Sequence, residues 1–144
     1  MIPVEVSIEI SKSIGEVFPF MTNSAHAFLW RSTLVAITST PQEAIKVGST
    51  FEERTKLLNQ IVETTYEVVE WLPPRRLTYK SIKGAVPSLL FLRLEPGKNC
   101  TQVIMRVEQS LELAFPHEEL LAVHTVQRIL QVDLQTLKEV LENR

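Results

Sequence analysis

Residues 116–144, PHEELLAVHTVQRILQVDLQTLKEVLENR, decide the fold, because they predict one long amphipathic helix. Pro116 suits the first helical position, and Glu118 and Glu119 suit the positive end of the helix dipole. Apolar residues recur at spacings of three, four or seven and form one stripe: Leu120, Val123, Leu130, Leu134, Leu137 and Leu141. A helix of about 27 residues would be about 40 Å long. Because that length spans a whole small domain, we expect the helix to lie across a curved sheet.

The N-terminal residues predict one strand and two short helices. Residues 4–10, VEVSIEI, alternate apolar and polar side chains with the period of a half-buried strand. Ser13 and Glu16 have the spacing of a capping box, which predicts a short helix, kinked where Pro19 removes a backbone donor. A second short helix is predicted to follow and to carry His26, Phe28 and Trp30.

The middle of the chain predicts an antiparallel meander. Six strand-like segments are separated mainly by Pro and Gly residues, and they lie at residues 34–40, 50–58, 61–71, 77–82, 89–94 and 101–112. Their short connections favour antiparallel neighbours. The sequence therefore predicts an α+β fold, with a bent antiparallel sheet of about seven strands and a long C-terminal helix.

Length and composition exclude several classes of protein. The chain has 144 residues, and its apolar and charged fractions of 44% and 22% are those of one folded domain spanning residues 1–144. A net charge of −2 argues against a general nucleic-acid surface. The single Cys100 allows no disulfide within the chain, and no residue pattern indicates a metal site or a cofactor. Neither a membrane span nor a secretory signal is apparent, so a cytoplasmic location is expected.

The order of elements resembles the START-like, or SRPBCC, superfamily, and within it the polyketide cyclase/dehydrase group. The resemblance covers essentially the whole chain and rests on motifs in residues 6–10, 14–18, 23–30, 48–51, 67–77 and 133–138. It implies the helix-grip fold of the birch-pollen allergen, in which a strongly bent sheet wraps around the last helix. It also implies a deep, mostly apolar cavity, since members bind lipids, sterols, hormones, quinones or polyketides.

Candidate ligand-binding residues follow from the inward faces of the predicted elements. The strands contribute Phe51, Tyr66, Tyr79 and Met105, and the resemblance places Trp30 near the entrance. The two tyrosines stand out because a buried phenol needs a hydrogen-bond partner, which either a ligand or a backbone carbonyl could supply. For all of these residues, ordinary core packing is the alternative role.

Three polar residues are further candidates. Glu53 follows Phe51 by two positions, so in a regular strand it faces the cavity, where a carboxyl group could act as acid or base. A bulge in the strand would instead turn Glu53 outward. His124 and Gln127 border the apolar stripe of the long helix, and they face either the cavity or the solvent.

Three functions are consistent with these features. The first is binding or transport of a small hydrophobic ligand, such as a lipid, a quinone or a polyketide-like molecule. The second is a cyclase/dehydrase-type enzyme, with Glu53 and His124 as the catalytic candidates. The third is a protein-interaction module of the same fold, which would require a contiguous exposed apolar patch.

Overall fold

A computed structural model of the chain describes residues 2–39 and 44–144. The strands are β1 Ile2–Ile10, β2 Leu34–Ser39, β3 Thr50–Leu57, β4 Gln60–Leu72, β5 Arg76–Gly84, β6 Ser88–Gly97 and β7 Cys100–Gln109. The helices are α1 Ile14–Thr22, a 3₁₀ helix Ser24–Leu29, α2 Leu111–Ala114 and α3 Glu119–Glu142. No helix in these two stretches of the chain is long and apolar enough to cross a membrane.

The seven strands form one antiparallel sheet in the order β1-β7-β6-β5-β4-β3-β2. Strands β2 to β7 are a simple meander, and β1 pairs with β7 at one edge. Register shifts interrupt the β2–β3 ladder near Ala36 and the β4–β5 ladder near Tyr66 and Val68. Bulges of this kind bend a sheet. The predicted α+β helix-grip fold is confirmed.

The predicted strand ends lie within three residues of the observed ends, and the largest over-extension is that of the last strand. Residue 40, the predicted end of the second strand, lies outside the described residues. Strand β7 ends at Gln109, and residues 111–114 form α2 instead of continuing the strand. The ladder with β6 stops at the pair Ser88 and Gln109, and the next amide, that of Ser110, donates to the Pro87 carbonyl at 3.0 Å. The alternation of apolar residues continues in the sequence beyond the end of the β6–β7 ladder, and for this reason it predicted too long a strand.

The first two helices lie where the sequence places them, although the predicted side-chain cap of α1 is not formed. The Ser13 side chain makes no hydrogen bond to the amides of α1, and its hydroxyl contacts a Glu16 carboxylate oxygen at 3.3 Å. The Asn23 side chain accepts a hydrogen bond from the Ala25 amide at 3.0 Å and so caps the 3₁₀ helix. Trp30 lies immediately after that helix, where the chain turns towards β2.

Helix α3 is 24 residues long, which corresponds to about 36 Å. It starts three residues later than predicted, after a turn in which the Glu118 amide bonds the Phe115 carbonyl. Leu120 is correspondingly two-thirds exposed rather than part of the buried stripe. Near the other end, Lys138 donates to the Glu9 carbonyl and Glu142 accepts from the Ser11 amide, both at 2.8 Å. These bonds fix the C-terminal end of α3 to the end of β1.

The apolar interior has a packed part and an open part. Fully buried side chains fill the space between the sheet, α1 and the C-terminal half of α3, among them Ile10, Phe18, Leu94, Val103, Leu134 and Leu137. Where α3 reaches Ile129 and Leu130, the concave face of the sheet stays apart from the helix, and a cavity lies between them. The fold therefore fixes the C-terminal end of the helix and leaves space beside its middle, at Ile129, Leu130 and Asp133.

Candidate ligand-binding cavity

The cavity between the sheet and the middle of α3 has a volume of about 890 Å³. This lies within the range of about 300–1,000 Å³ that is usual for small-molecule sites. Its walls are mainly aromatic and aliphatic, with Trp30, Phe51, Trp71, Tyr79, Leu92 and Met105 among the lining residues. The cavity can therefore accept a mostly apolar molecule of moderate size.

Arg31 and Glu53 form an ion pair in the cavity wall. The Arg31 guanidinium donates from Nη1 and Nη2 to the two carboxylate oxygens of Glu53, at 2.7 and 2.9 Å. The Glu53 side chain is 4% exposed and that of Arg31 is 21% exposed, and both residues line the cavity. Such a two-bond pair fixes the guanidinium plane as well as its position.

The strand register explains why Glu53 points inward. Strands β3 and β4 pair without interruption from Phe51 opposite Tyr66 to Glu53 opposite Thr64. Because side chains alternate between faces, Glu53 shares the inward face with Phe51. The bulge that would have turned Glu53 outward is absent from β3, and the Glu53 side chain faces the cavity.

Arg31 is held between the sheet and α3. Its own amide bonds the Ala27 carbonyl at 3.0 Å, as the chain leaves the 3₁₀ helix. The amide of the next residue, Ser32, donates to Oδ1 of Asp133 on α3 at 3.1 Å. The backbone of Arg31 is therefore fixed near α3, while its guanidinium is fixed on β3 through Glu53.

Asp133 is a second buried carboxyl group in the cavity lining. Its side chain is 4% exposed, and burial raises the pKa of its carboxyl, against the opposing effects of the Ser32 hydrogen bonds and the Arg31 charge. A buried carboxyl group with a raised pKa can hold or release a proton nearer neutral pH than an exposed one. Asp133 therefore has the chemistry of a hydrogen-bonding or proton-transfer group.

Three aromatic rings pack beside the ion pair. Phe51 stacks on Tyr66 at 5.2 Å between ring centroids, and Tyr79 meets both rings edge-on, at 5.0 and 4.9 Å. Burial, together with the Glu53 charge, raises the pKa of Tyr66 to about 12 and raises the pKa of Tyr79 well above its ordinary value. Both phenols are therefore protonated at neutral pH. The Tyr79 hydroxyl makes no hydrogen bond within the described ranges, so it is available to a ligand.

Arg31 stays charged in this setting. Burial alone would lower the pKa of its guanidinium, but the charge and hydrogen bonds of Glu53 raise the pKa above its ordinary value. The charges of Arg31 and Glu53 thus compensate each other locally. The pair therefore adds hydrogen-bonding groups to the wall without adding net charge, while Asp133 and Lys46 also belong to the lining.

The structure brings most of the predicted site residues together. Trp30, Phe51, Glu53, Tyr79 and Met105 all line the cavity. Tyr66 is buried behind Phe51 and Tyr79 rather than in the lining itself.

The two predicted residues of α3, His124 and Gln127, do not reach the cavity. Both are exposed. At about 100° per residue, His124 lies roughly opposite the face that carries Ile129, Leu130 and Asp133, and Gln127 lies more than about 100° from it. The edge of the apolar stripe that carries His124 and Gln127 therefore faces the solvent and not the cavity.

Sequence reasoning missed Arg31 and Asp133. Asp133 has a readable signal, because an acid at spacings of three and one from Leu130 and Leu134 interrupts the buried stripe of α3. Arg31 has none, since its role depends on Glu53, which is 22 positions away in the sequence. Trp30, by contrast, was predicted, and its indole Nε1 is buried without a hydrogen-bond partner in the described parts of the chain.

Comparison with solved structures supports the fold. TTHA0849 from Thermus thermophilus superposes with a TM-score of 0.81 at 13% identity, over 96% of this chain and 95% of that one. The Zhui aromatase/cyclase from Streptomyces sp. R1128 gives a TM-score of 0.78 at 15% identity, over 99% and 94% of the two chains. The protein jhp0584 from Helicobacter pylori gives 0.74 at 16% identity, over 96% and 87%.

The comparison of sequences gives the family. No curated protein matches the sequence significantly. Residues 1–142 match the family described as polyketide cyclase / dehydrase and lipid transport, which is a family of the SRPBCC type. This match spans nearly the whole chain and agrees with the observed helix-grip fold. The chain therefore belongs to the polyketide cyclase/dehydrase and lipid transport family.

Proposed function

We propose that the protein binds, and thereby carries, one small and mostly apolar molecule in the cavity. The observation that supports this function is a space of about 890 Å³, partly open to solvent, that the side chains leave between the sheet and α3. Protein cores are normally packed as densely as organic crystals, so an unfilled space of this size between core elements is a site that a ligand can occupy. Its aromatic and aliphatic walls favour an apolar occupant.

The arrangement of polar groups favours binding over turnover. Both carboxylate oxygens of Glu53 accept hydrogen bonds from Arg31, so this residue is not free to act as a base. His124, the other catalytic candidate, is exposed on the far side of α3. The acid and base that the enzyme hypothesis required are therefore not assembled at one point of the cavity.

Binding of N-phenylnaphthylamine, an uncharged fluorescent probe, tests this function. We expect saturable binding of one probe per chain, and thermal stabilisation by lipids, quinones or aromatic polyketides from a screened panel. Leu90→Trp, in the cavity lining, should weaken probe binding about tenfold or more by filling the space. Ile82→Trp is the matched control, because Ile82 is half exposed and outside the lining. Absence of binding to the unmodified protein, or equal binding by both variants, would contradict the proposal.

A cyclase-type activity is the second candidate, and the observation that favours it is Asp133. This buried carboxyl group lines the same cavity as the unpaired Tyr79 hydroxyl, so the two could transfer and donate protons to a positioned substrate. The test is incubation with an uncharged poly-β-ketone thioester and mass spectrometry of the products. Loss of water or ring closure that Asp133→Asn abolishes, with N-phenylnaphthylamine binding unchanged, would support the enzyme. Equal product with the variant, or none above a blank, would exclude this role for Asp133.

A further inference from the structure

The guanidinium of Arg31 has unused hydrogen-bonding capacity at the cavity. Arginine has five N–H donors, and two of them are given to Glu53. No side-chain or backbone acceptor in residues 2–39 and 44–144 takes the other three. Arg31 lines the cavity and keeps one-fifth of its side-chain exposure, so these donors are accessible to an oxygen atom of a ligand.

The charge of that guanidinium is already compensated. A ligand carboxylate at Arg31 would have to compete with Glu53 for the guanidinium and would bring a second negative charge beside it. Asp133 adds another carboxyl group to the same lining, to which Lys46 also belongs, so the selection against charge concerns the part of the cavity at Arg31. A ligand ammonium would instead meet the positive charge of Arg31, whose partner Glu53 has both oxygens engaged. An uncharged oxygen meets neither obstacle.

We propose that the Arg31–Glu53 pair is a specificity determinant, which selects an uncharged ligand with a carbonyl or hydroxyl oxygen at one end. The oxygen accepts from the free N–H groups of Arg31, and the neighbouring Tyr79 hydroxyl can donate to it or accept from it. The apolar remainder of the ligand lies against the aromatic walls. This inference rests on the proposed binding function and adds the chemistry of the ligand's polar end.

Calorimetry with four probes on one aromatic skeleton tests the proposal: naphthalene, naphthol, naphthoate and naphthylmethylammonium. The unmodified protein should bind naphthol more tightly than naphthalene and at least about tenfold more tightly than either charged probe. An apolar cavity without any specific group would also reject charged probes, because desolvation alone disfavours them. The unmodified protein therefore cannot decide the question by itself, and variants are needed.

Glu53→Gln and Arg31→Gln should change the preference of the cavity for charged probes in opposite directions. Glu53→Gln frees the guanidinium, so affinity for naphthoate should rise about tenfold or more. Arg31→Gln frees the carboxylate, so affinity for naphthylmethylammonium should rise by a similar factor. The double variant is neutral again and should show neither gain. Glu63→Gln is the matched control, because Glu63 pairs with Arg54 at 3.0 Å on the solvent-exposed face of the same strands.

The outcomes separate the inference from the function on which it rests. If no probe binds to the unmodified protein, naphthalene included, the proposed function fails and the inference fails with it. If naphthalene and naphthol bind but neither single variant gains affinity for its charged probe, only the inference is overturned. The same holds if Glu63→Gln gains as much as Glu53→Gln. Circular dichroism shows which variants are folded, and either single variant suffices, because each has its own predicted gain.

Discussion

Removing the charge of Glu53 should destabilise the fold far more than removing the charge of a neighbouring exposed glutamate. Glu53→Gln leaves the Arg31 charge without compensation where its partner was 4% exposed, and breaking a buried pair costs about 3–5 kcal/mol. Arg31 keeps 21% of its exposure, so water recovers part of this cost, and we expect about 3 kcal/mol. For a chain of this size that corresponds to a fall in Tm of about 10 °C.

Urea denaturation followed by circular dichroism measures this difference directly. The matched variant is Glu63→Gln, whose partner Arg54 is 52% exposed and which is itself 71% exposed, so its loss should stay below about 1 kcal/mol. The midpoint should shift and the slope should stay constant, because the same surface is exposed on unfolding. Equal losses from Glu53→Gln and Glu63→Gln would refute the reasoning, since they would mean that the cavity wall solvates Arg31 as well as the surface does.

Three further perturbations test other parts of the site and fold. Because burial raises the pKa of Asp133 above 3.8, the stability contributed by its protonated form is present below that pH and is lost as the pH rises through the folded-state pKa. The Tm of Asp133→Asn should therefore rise relative to the Tm of the unmodified protein as the pH is raised from acid to neutral. A difference in Tm that does not change with pH would contradict this. Tyr79→Phe should weaken naphthol binding up to about tenfold in calorimetry, whereas Tyr66→Phe, outside the lining, should leave it unchanged; equal effects would refute the assignment. Gly84→Ala should cost about 1–3 kcal/mol in urea, since φ is +136° and the added Cβ would lie 2.6 Å from a backbone carbonyl oxygen of β4, while Gly15→Ala in α1 should be neutral or stabilising; a neutral Gly84→Ala would contradict the geometry.

The fold was predictable because its strongest signals are local. Alternation over β1 and the apolar stripe of α3 each specify a face of one element without reference to the rest of the chain. The predicted strand bounds, 50–58 and 61–71, place the turn between β3 and β4 one residue late, at residues 59 and 60. Gln60 already pairs with Leu57, and Leu58 and Asn59 adopt positive φ values of 48° and 64°. An asparagine favours such a conformation, whereas the leucine gives no warning of it.

The site was less predictable because its polar groups depend on contacts between distant parts of the sequence. The inward side chains of β3 and β5 follow from alternation, so Phe51, Glu53 and Tyr79 could be named in advance. Nothing in the local sequence distinguishes Arg31 from other surface arginines, since its burial results from the approach of β3 to the end of the 3₁₀ helix. His124 illustrates the opposite error, because a polar residue beside an apolar stripe has two possible orientations and only the position of the sheet decides between them.

Replacing both partners of the ion pair distinguishes its role in ligand binding from its role in stability. A buried pair can often be replaced by apolar residues of similar size without loss of stability, or with a gain of about 1–4 kcal/mol. Arg31→Met combined with Glu53→Leu should therefore be at least as stable as the unmodified protein in urea, although each single change is destabilising. The same double variant loses every free N–H group of Arg31 but keeps the Tyr79 hydroxyl, so the preference for naphthol over naphthalene should fall about tenfold rather than disappear. A double variant that unfolds would show that the pair is needed to hold β3 against the 3₁₀ helix. A stable one that keeps the full preference for naphthol would show that Arg31 does not recognise the oxygen of the ligand.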